Sequence, residues 1–258
     1  MEDWKVLYAS KLMTADEAVR QIPDGSRVFF GHAANEPPVL VDALVRNYEQ
    51  YKDVEIVHWV PMGKGEYCDP KMKGHLRHNA MFVGGPTRKA VQEGRADYTP
   101  FFFHQSTRFF SDGTFPIDVA MVSVTPPDKH GYVSLGVSVG GTKPACLNAK
   151  MVIAQVNDQM PRTMGESFLH VSQLTCCVEA STPLPELGGS IMMASYFLPR
   201  RISRATNFSQ SSTIQRMGFS VSPDSAAFSL AHCTMPLDAS TWHTEAPAEA
   251  HASVAPPV

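Results

Sequence analysis

Residues 117–124, IDVAMVSV, and 151–156, MVIAQV, decide the fold. Neither run alternates apolar with polar residues, so neither reads as a strand with one wet face. Runs of this length and β-branched content fit strands covered on both sides, as in a mostly parallel sheet flanked by helices. Between them, residues 122–139 read VSVTPPDKHGYVSLGVSV. The apolar run stops at Pro126 and Pro127, turns through Asp128, Lys129, His130 and Gly131, and resumes as strand.

Working outward, helix and strand signals alternate. Thr14-Ala15-Asp16-Glu17 is a capping box, a threonine at the N-cap with glutamate three residues on, and its helix ends before Pro23-Asp24-Gly25. Residues 27–30 read as strand. Glu36-Pro37-Pro38 opens a helix with Val39, Leu40, Leu44 and Val45 on one face, proline supplying a φ suited to the first turn. Strand is predicted over 54–60, 80–83 and 98–103, with a helix over 87–93 closed by Gly94. The layout is α/β. From Gly188 the texture changes: the last lysine is Lys150, Ser, Ala, Thr and Pro dominate, and the chain ends HTEAPAEAHASVAPPV. We therefore divide the chain into an α/β domain over 1–187 and a divergent tail over 188–258. The tail is expected to be disordered from about Thr234, with partial structure over 191–230.

Composition narrows the function classes. A content of 43% hydrophobic and 18% charged residues is that of a soluble globular protein. A net charge of −3 without a long basic run argues against nucleic acid, and Lys71, Lys73 and Arg77 read as a solvated face. No apolar stretch approaches the ~18 residues of a membrane span, and the start, MEDWKVLYASKL, is mixed and charged, so a cytoplasmic location without membrane contact is expected. The five cysteines are odd in number and lack C-x-x-C spacing, which signals neither a disulfide framework nor a zinc site; Cys176 and Cys177 read as buried fillers. His75 and His78 lie three apart with no carboxylate or cysteine to complete a metal set, and His130 and His170 read as structural. No P-loop and no G-x-S-x-G occurs.

In open α/β sheets, ligands bind outside the carboxyl ends of the strands, and three segments fall there. In FFGHAANEPP, residues 29–38, Gly31 allows close approach of the backbone, while His32, Asn35 and Glu36 gather before a helix N-terminus suited to an acid or oxyanion. Capping by Glu36 and packing by His32 account for the same pattern. In VPMGKGEYCDP, residues 60–70, Met62, Gly63 and Lys64 lie on a tight path whose amides can face a carboxylate; an ordinary glycine loop reads the same way. In FVGGPTRKAVQEGRADYTP, residues 82–100, Thr87 and Arg88 stand in a first helical turn that can hold a phosphate or can simply be a helix entry. Asn157 and Gln159, in the NDQMP turn, are further candidates.

Taken together, TADEAV, DGSRVFFGHAANEPPVLVDAL, MGKGEY, TRKAVQEGRADYTPFF, VSVTPPDKHGYVSLGVS, AKMVIAQVNDQMPRTMGESFLHVS and PLPEL, in that order over residues 1 to about 187, resemble the amino-terminal half of the acetyl-CoA hydrolase/transferase family. The resemblance is nearest to its members acting on 4-hydroxybutyrate and on butyryl-CoA with acetate. It implies exchange of CoA between an acyl thioester and a free short-chain acid, with the thioester as substrate and no permanently bound cofactor or metal. A glutamate carboxylate attacks the thioester, an acyl anhydride forms, CoA returns as a glutamyl thioester, and the acceptor acid completes the exchange. It also implies that the PPDKHG turn joins two buried sheet strands. In the family, the nucleophilic glutamate and a glycine-rich CoA loop belong to a second half, which this chain lacks. The tail offers only Glu245 and Glu249, with no glycine-rich strand end before them, so neither is assigned as nucleophile. The change at Gly188 reads as a truncation or a frame-shifted ending. Two functions therefore stay open: a CoA-transferase needing its other half, or an inactive α/β module that binds small acids or associates, homo-oligomers included, through its uncovered face. A CoA-ester hydrolase using Glu36 or Glu66 is a third.

Overall fold

Because both faces of the central strands must be covered, the chain lays its helices on each side of one sheet. The computed structural model describes residues 4–185. In chain order these are α1 (Trp4–Lys11), α2 (Ala15–Val19), β1 (Arg27–Phe30), α3 (Pro38–Arg46), β2 (Val54–His58), β3 (Leu76–Ala80), α4 (Gly85–Gln92), β4 (Asp97–Tyr98), α5 (Ser106–Ser111), β5 (Val119–Val124), β6 (Tyr132–Ser134), α6 (Thr142–Asn148), β7 (Met151–Val156), β8 (Phe168–His170) and β9 (Cys176–Glu179). Seven strands form a wholly parallel sheet in the order β4-β3-β2-β1-β5-β7-β9, while β6 and β8 pair antiparallel in a second sheet. The expected α/β layout is found. The expectations for residues 188–258 lie outside the described residues.

The strand order places the site. The chain runs outward from β1 through β2 and β3 to β4, then returns to β5 on the other flank of β1 and runs outward again through β7 to β9. Neighbouring connections diverge between β1 and β5, and outside the carboxyl ends at such a switch point is where open α/β sheets take ligands. Packing follows from the pleat. Val28 and Phe30 join Leu40, Leu44, Ile56, Met121 and Ile153 on one face, and Phe29 joins Val57, Trp59, Phe110 and Ile117 on the other. A third cluster, with Val122, Val152, Ala154, Leu135 and Cys177, covers the flank toward α1. Cys68, Cys146, Cys176 and Cys177 are free and buried, and burial pushes the thiols of Cys68, Cys146 and Cys177 up to about 12, so they are inert packing groups.

Three expectations are corrected. The third strand is Leu76–Ala80, not 80–83: it was hidden by His78 and Asn79, which are buried, His78 bonding Ile56 O through Nδ1 while its Nε2 has no partner, and Asn79 bonding Glu55 and Thr99. The run at 98–103 keeps only Asp97–Tyr98 as strand, and Phe101 and Phe103 instead pack against the Trp59 indole. The PPDKHG turn does not join two buried strands of one sheet. Asp128 Oδ1 accepts the N–H groups of His130 and Tyr132, Gly131 turns at φ 83°, and the chain leaves the parallel sheet for β6, where Tyr132 is exposed.

Gly141 shows how closely the β6–α6 loop is seated. A Cβ there would lie 1.8 Å from Trp59 Cη2, on an indole that is 1% exposed. Gly141→Ala is expected to lower stability by about 1–3 kcal/mol or more, the cost of overpacking a closed core. Urea unfolding reads this directly, and a change under ~0.5 kcal/mol would contradict the packing described.

Candidate functional site

The loops after β1 and β2 meet at a single carboxylate. Residues 33–35 make one 3-10 turn, entered through Ala33 at φ 52°, and Pro37-Pro38 then start α3. A non-glycine residue in the left-handed region costs of order 1 kcal/mol, and such strain concentrates at sites that demand a particular geometry. The turn swings Glu36 under the second loop. Met62 N–H and Gly63 N–H both donate to Glu36 Oε2, each at 2.9 Å. Glu36 is 6% exposed, and burial raises its pKa against the opposing effect of the two amides. Gly63 has no room for a side chain, since a Cβ would stand 2.5 Å from Glu36 Oε1.

Behind this junction lies a buried polar chain. His58 Nε2 is 3.2 Å from Gly31 O and 4.0 Å from Glu36 Oε2, and His58 Nδ1 is 3.2 Å from the Tyr67 hydroxyl. The Gly31 carbonyl is an acceptor only, so Nε2 carries the proton and the Tyr67 hydroxyl donates to Nδ1. Burial drives the His58 pKa down to about 3, leaving the ring neutral. His78, whose ring meets the Tyr67 ring edge-on, is lowered to about 3 in the same way.

Of the residues singled out from sequence, Glu36, Met62 and Gly63 are thus brought into direct contact. Asn35 lies beside them but faces the scaffold: its Nδ2 donates to Ser123 O and Leu135 O, both at 2.7 Å, and its Oδ1 has no hydrogen-bond partner and is directed at Gly31. His32 is half-buried, with Nδ1 3.0 Å from Ser138 Oγ and its ring against Trp59 and Phe103. Lys64 is exposed, 3.9 Å from Asp42. Asn157 and Gln159 belong to a separate turn, Asn157 bonding Thr182 and the Gln159 N–H, and Gln159 reaching Ser181. Thr87 is buried in α4 and Arg88 exposed. Sequence reading missed His58, Tyr67, Ser138 and Gln155. The signal for Gln155 was present, a lone amide in an apolar strand at the sheet's carboxyl edge; its Oε1 accepts the Val39 N–H at 3.0 Å and so serves the first turn of α3.

Among the described residues no cluster of three His, Cys, Asp or Glu side chains could hold a metal, and no helix is long and apolar enough to cross a membrane. The arrangement offers instead a stiff, half-apolar wall with hydrogen-bonding groups at the switch point of the sheet, suited to a small polar organic ligand.

The profile of the acetyl-CoA hydrolase/transferase N-terminal domain matches residues 2–185. The 4-hydroxybutyrate coenzyme A transferase of Clostridium kluyveri is 55% identical over 185 residues, which cover 72% of this chain and 43% of that protein. The butyryl-CoA:acetate CoA-transferase of Anaerostipes caccae is 32% identical over 193 residues, again 72% of this chain and 43% of the relative. Among solved structures, RipA from Yersinia pestis superposes with a TM-score of 0.68 at 31% identity, over 73% of this chain and 46% of that one. The chain therefore spans less than half the length of these relatives.

The buried neutral histidines make stability depend on pH. In the unfolded chain a histidine takes up a proton near its ordinary value of 6.5, whereas folded His58 and His78 refuse it until about 3. Their contribution is therefore complete above about pH 6.5 and is lost as pH falls toward 3, at ~1.4 kcal/mol per unit for each ring. Urea titrations between pH 7 and pH 4 should show unfolding free energy falling with pH. His58→Gln should flatten that slope by about one proton; an unchanged slope would mean that His58 does not lie buried and neutral.

Proposed function

Because the chain belongs to the acetyl-CoA hydrolase/transferase family, whose N-terminal domain it carries, we propose that it supplies one half of a CoA-transferase acting on short-chain carboxylic acids. The substrates in this reading are an acyl-CoA and a short acid, of the 4-hydroxybutyrate or butyrate class named for the relatives. One thioester is traded for another, so the exchange runs without an external energy source. What carries the reading on this chain is the Glu36 junction: two strand-end loops, fastened by a buried carboxylate, form a wall at the crevice where α/β sheets take ligands.

Roles follow from the geometry. His32, Met62 and Gly63 face the substrate in this proposal, and Lys64 at the rim draws in the anionic acid, a long-range effect that salt weakens. Asn35 and Glu36 hold the shape of the wall, and Asn157 and Gln159 hold the neighbouring turn after β7. Glu36 is not proposed as the nucleophile. Its Oε2 is already committed to two amides, and the group that attacks the thioester is assigned to the family's second half. The free buried thiols favour a reducing compartment such as the cytoplasm.

A second reading, an α/β module without turnover that associates through an uncovered face, draws on the exposed aromatics Phe82, Tyr98, Phe102 and Phe103, with Phe102 69% exposed. One assay separates the two. The purified chain is given acetyl-CoA with butyrate or 4-hydroxybutyrate, alone and together with a separately produced second half of the Clostridium relative. We expect no new acyl-CoA from the chain alone and exchange in the mixture. Silence in both favours the module, product from the chain alone would show that it carries its own nucleophile, and thiol release without acid would indicate a hydrolase.

A further inference from the structure

His32 and Ser138 form a pair that the junction described above does not use. Their loops follow different strands: Gly31 and His32 continue from β1, and Ser138 lies in the Gly136–Gly141 stretch after β6. Two contacts hold these loops together. The Gly141 backbone packs directly on the Trp59 indole, and the His32 ring meets the same indole edge-on with centroids 5.2 Å apart. Phe103, itself against the Trp59 ring at 5.7 Å, adds a third ring 5.8 Å from the imidazole. A second tie runs from the His32 N–H to the buried Thr142 hydroxyl at 3.5 Å. The result is His32 Nδ1 at 3.0 Å from Ser138 Oγ, both side chains half-buried, against an apolar aromatic wall.

The hydrogen-bond inventory of this pair is the same whichever tautomer the ring adopts. If Nδ1 accepts from the Ser138 hydroxyl, the pair presents Nε2–H as donor and a Ser138 Oγ lone pair as acceptor. If Nδ1–H donates to Ser138 Oγ, the pair presents the serine O–H as donor and Nε2 as acceptor. In either case one donor and one acceptor are left without an intramolecular partner. A carboxylate, which only accepts, satisfies half of such a pair, and a methyl group satisfies neither. An alcohol, which both donates and accepts, satisfies both. Burial keeps the imidazole neutral, so the second donor that would suit a carboxylate is missing.

We propose that His32 and Ser138 read a hydroxyl group on the acid substrate, so that the site prefers short hydroxy acids to their unsubstituted and dicarboxylic counterparts. The proposal rests on the acid-binding reading and adds to it the residues that choose among acids. Its strength is the asymmetry of polar recognition: a site built to bond a hydroxyl leaves its own polar groups unpaired when the hydroxyl is missing, and so discriminates better than an apolar pocket.

The test is equilibrium binding to the purified chain, followed by NMR, with 4-hydroxybutyrate, butyrate and succinate as probes. The wild-type chain should bind 4-hydroxybutyrate roughly fivefold or more tightly than butyrate, the effect of about one net hydrogen bond. Succinate should bind no better than butyrate. Ser138→Ala should erase the preference by weakening 4-hydroxybutyrate while leaving butyrate unchanged. A second measurement does not depend on the variant: the His32 ring nitrogen resonances should move on adding 4-hydroxybutyrate and stay still with butyrate. Equal affinities for the two monoacids, or a preference that survives Ser138→Ala, would overturn the inference while leaving acid binding intact. Failure of all three acids to bind would overturn both.

Discussion

The site edge depends on one buried carboxylate and two amides. Glu36 Oε2 accepts from Met62 and Gly63, and through those bonds the loop after β1 is fastened to the loop after β2. A carboxylate at 6% exposure would be costly if unpaired; charge-assisted bonds to backbone N–H groups offset that cost, and removing them would leave the charge stranded. Every neighbouring feature makes sense as accommodation of this contact. Gly63 must lack a side chain to let the carboxylate in, Ala33 accepts a left-handed turn to aim it, and Gln155 bonds the Val39 N–H that begins the helix behind it.

A second tier keeps the first from drifting. Tyr67 donates to His58, His58 donates to the Gly31 carbonyl, and Asn35 bridges the carbonyls of Ser123 and Leu135. These bonds link the carboxyl ends of β1, β2 and β5 to the loop after β6, so displacement of one strand end is resisted by the other two and by that loop. Buried donors paired in this way favour a single arrangement, since any other leaves more of them without water or partner.

What the sequence revealed and what it hid divide along the same line. β1, β5 and β7 were legible because their side chains are apolar on both faces, and the Thr14 capping box was legible because its two bonds depend on residues three apart. β3 was obscured because its buried positions include His78 and Asn79, polar types that belong inside only when neighbouring elements supply partners, and partners are a property of the fold. The FFF run at 101–103 looked like strand by composition, but Phe101 and Phe103 spend their rings on Trp59 while Phe102 is exposed. In the site, Glu36, Met62 and Gly63 could be grouped because strand ends and glycines announce close backbone approach. The orientation of Asn35 and the pairing of His32 with Ser138, 106 residues away, could not, since nothing local fixes them.

This division bears on how such a wall can be specific while remaining stable. The groups that give it stiffness, Glu36, Asn35 and His58, are buried and tied to the scaffold through Glu36 Oε2, Asn35 Nδ2 and both His58 ring nitrogens, so their main bonds are made within the protein. The half-buried pair of His32 and Ser138 is the reverse: supported from behind by Trp59 and the Gly141 backbone, it keeps one donor and one acceptor uncommitted. Substitution at the first group changes stability and, through it, the geometry of everything that rests on it; under the proposal, substitution at the second acts chiefly on which ligand is welcome. Under the proposed function, variation in acid preference among chains that share this domain would therefore be carried by the loop faces supported by Trp59, with the Glu36 junction held constant, because exchanging a half-buried side chain leaves the bonds of the buried carboxylate in place.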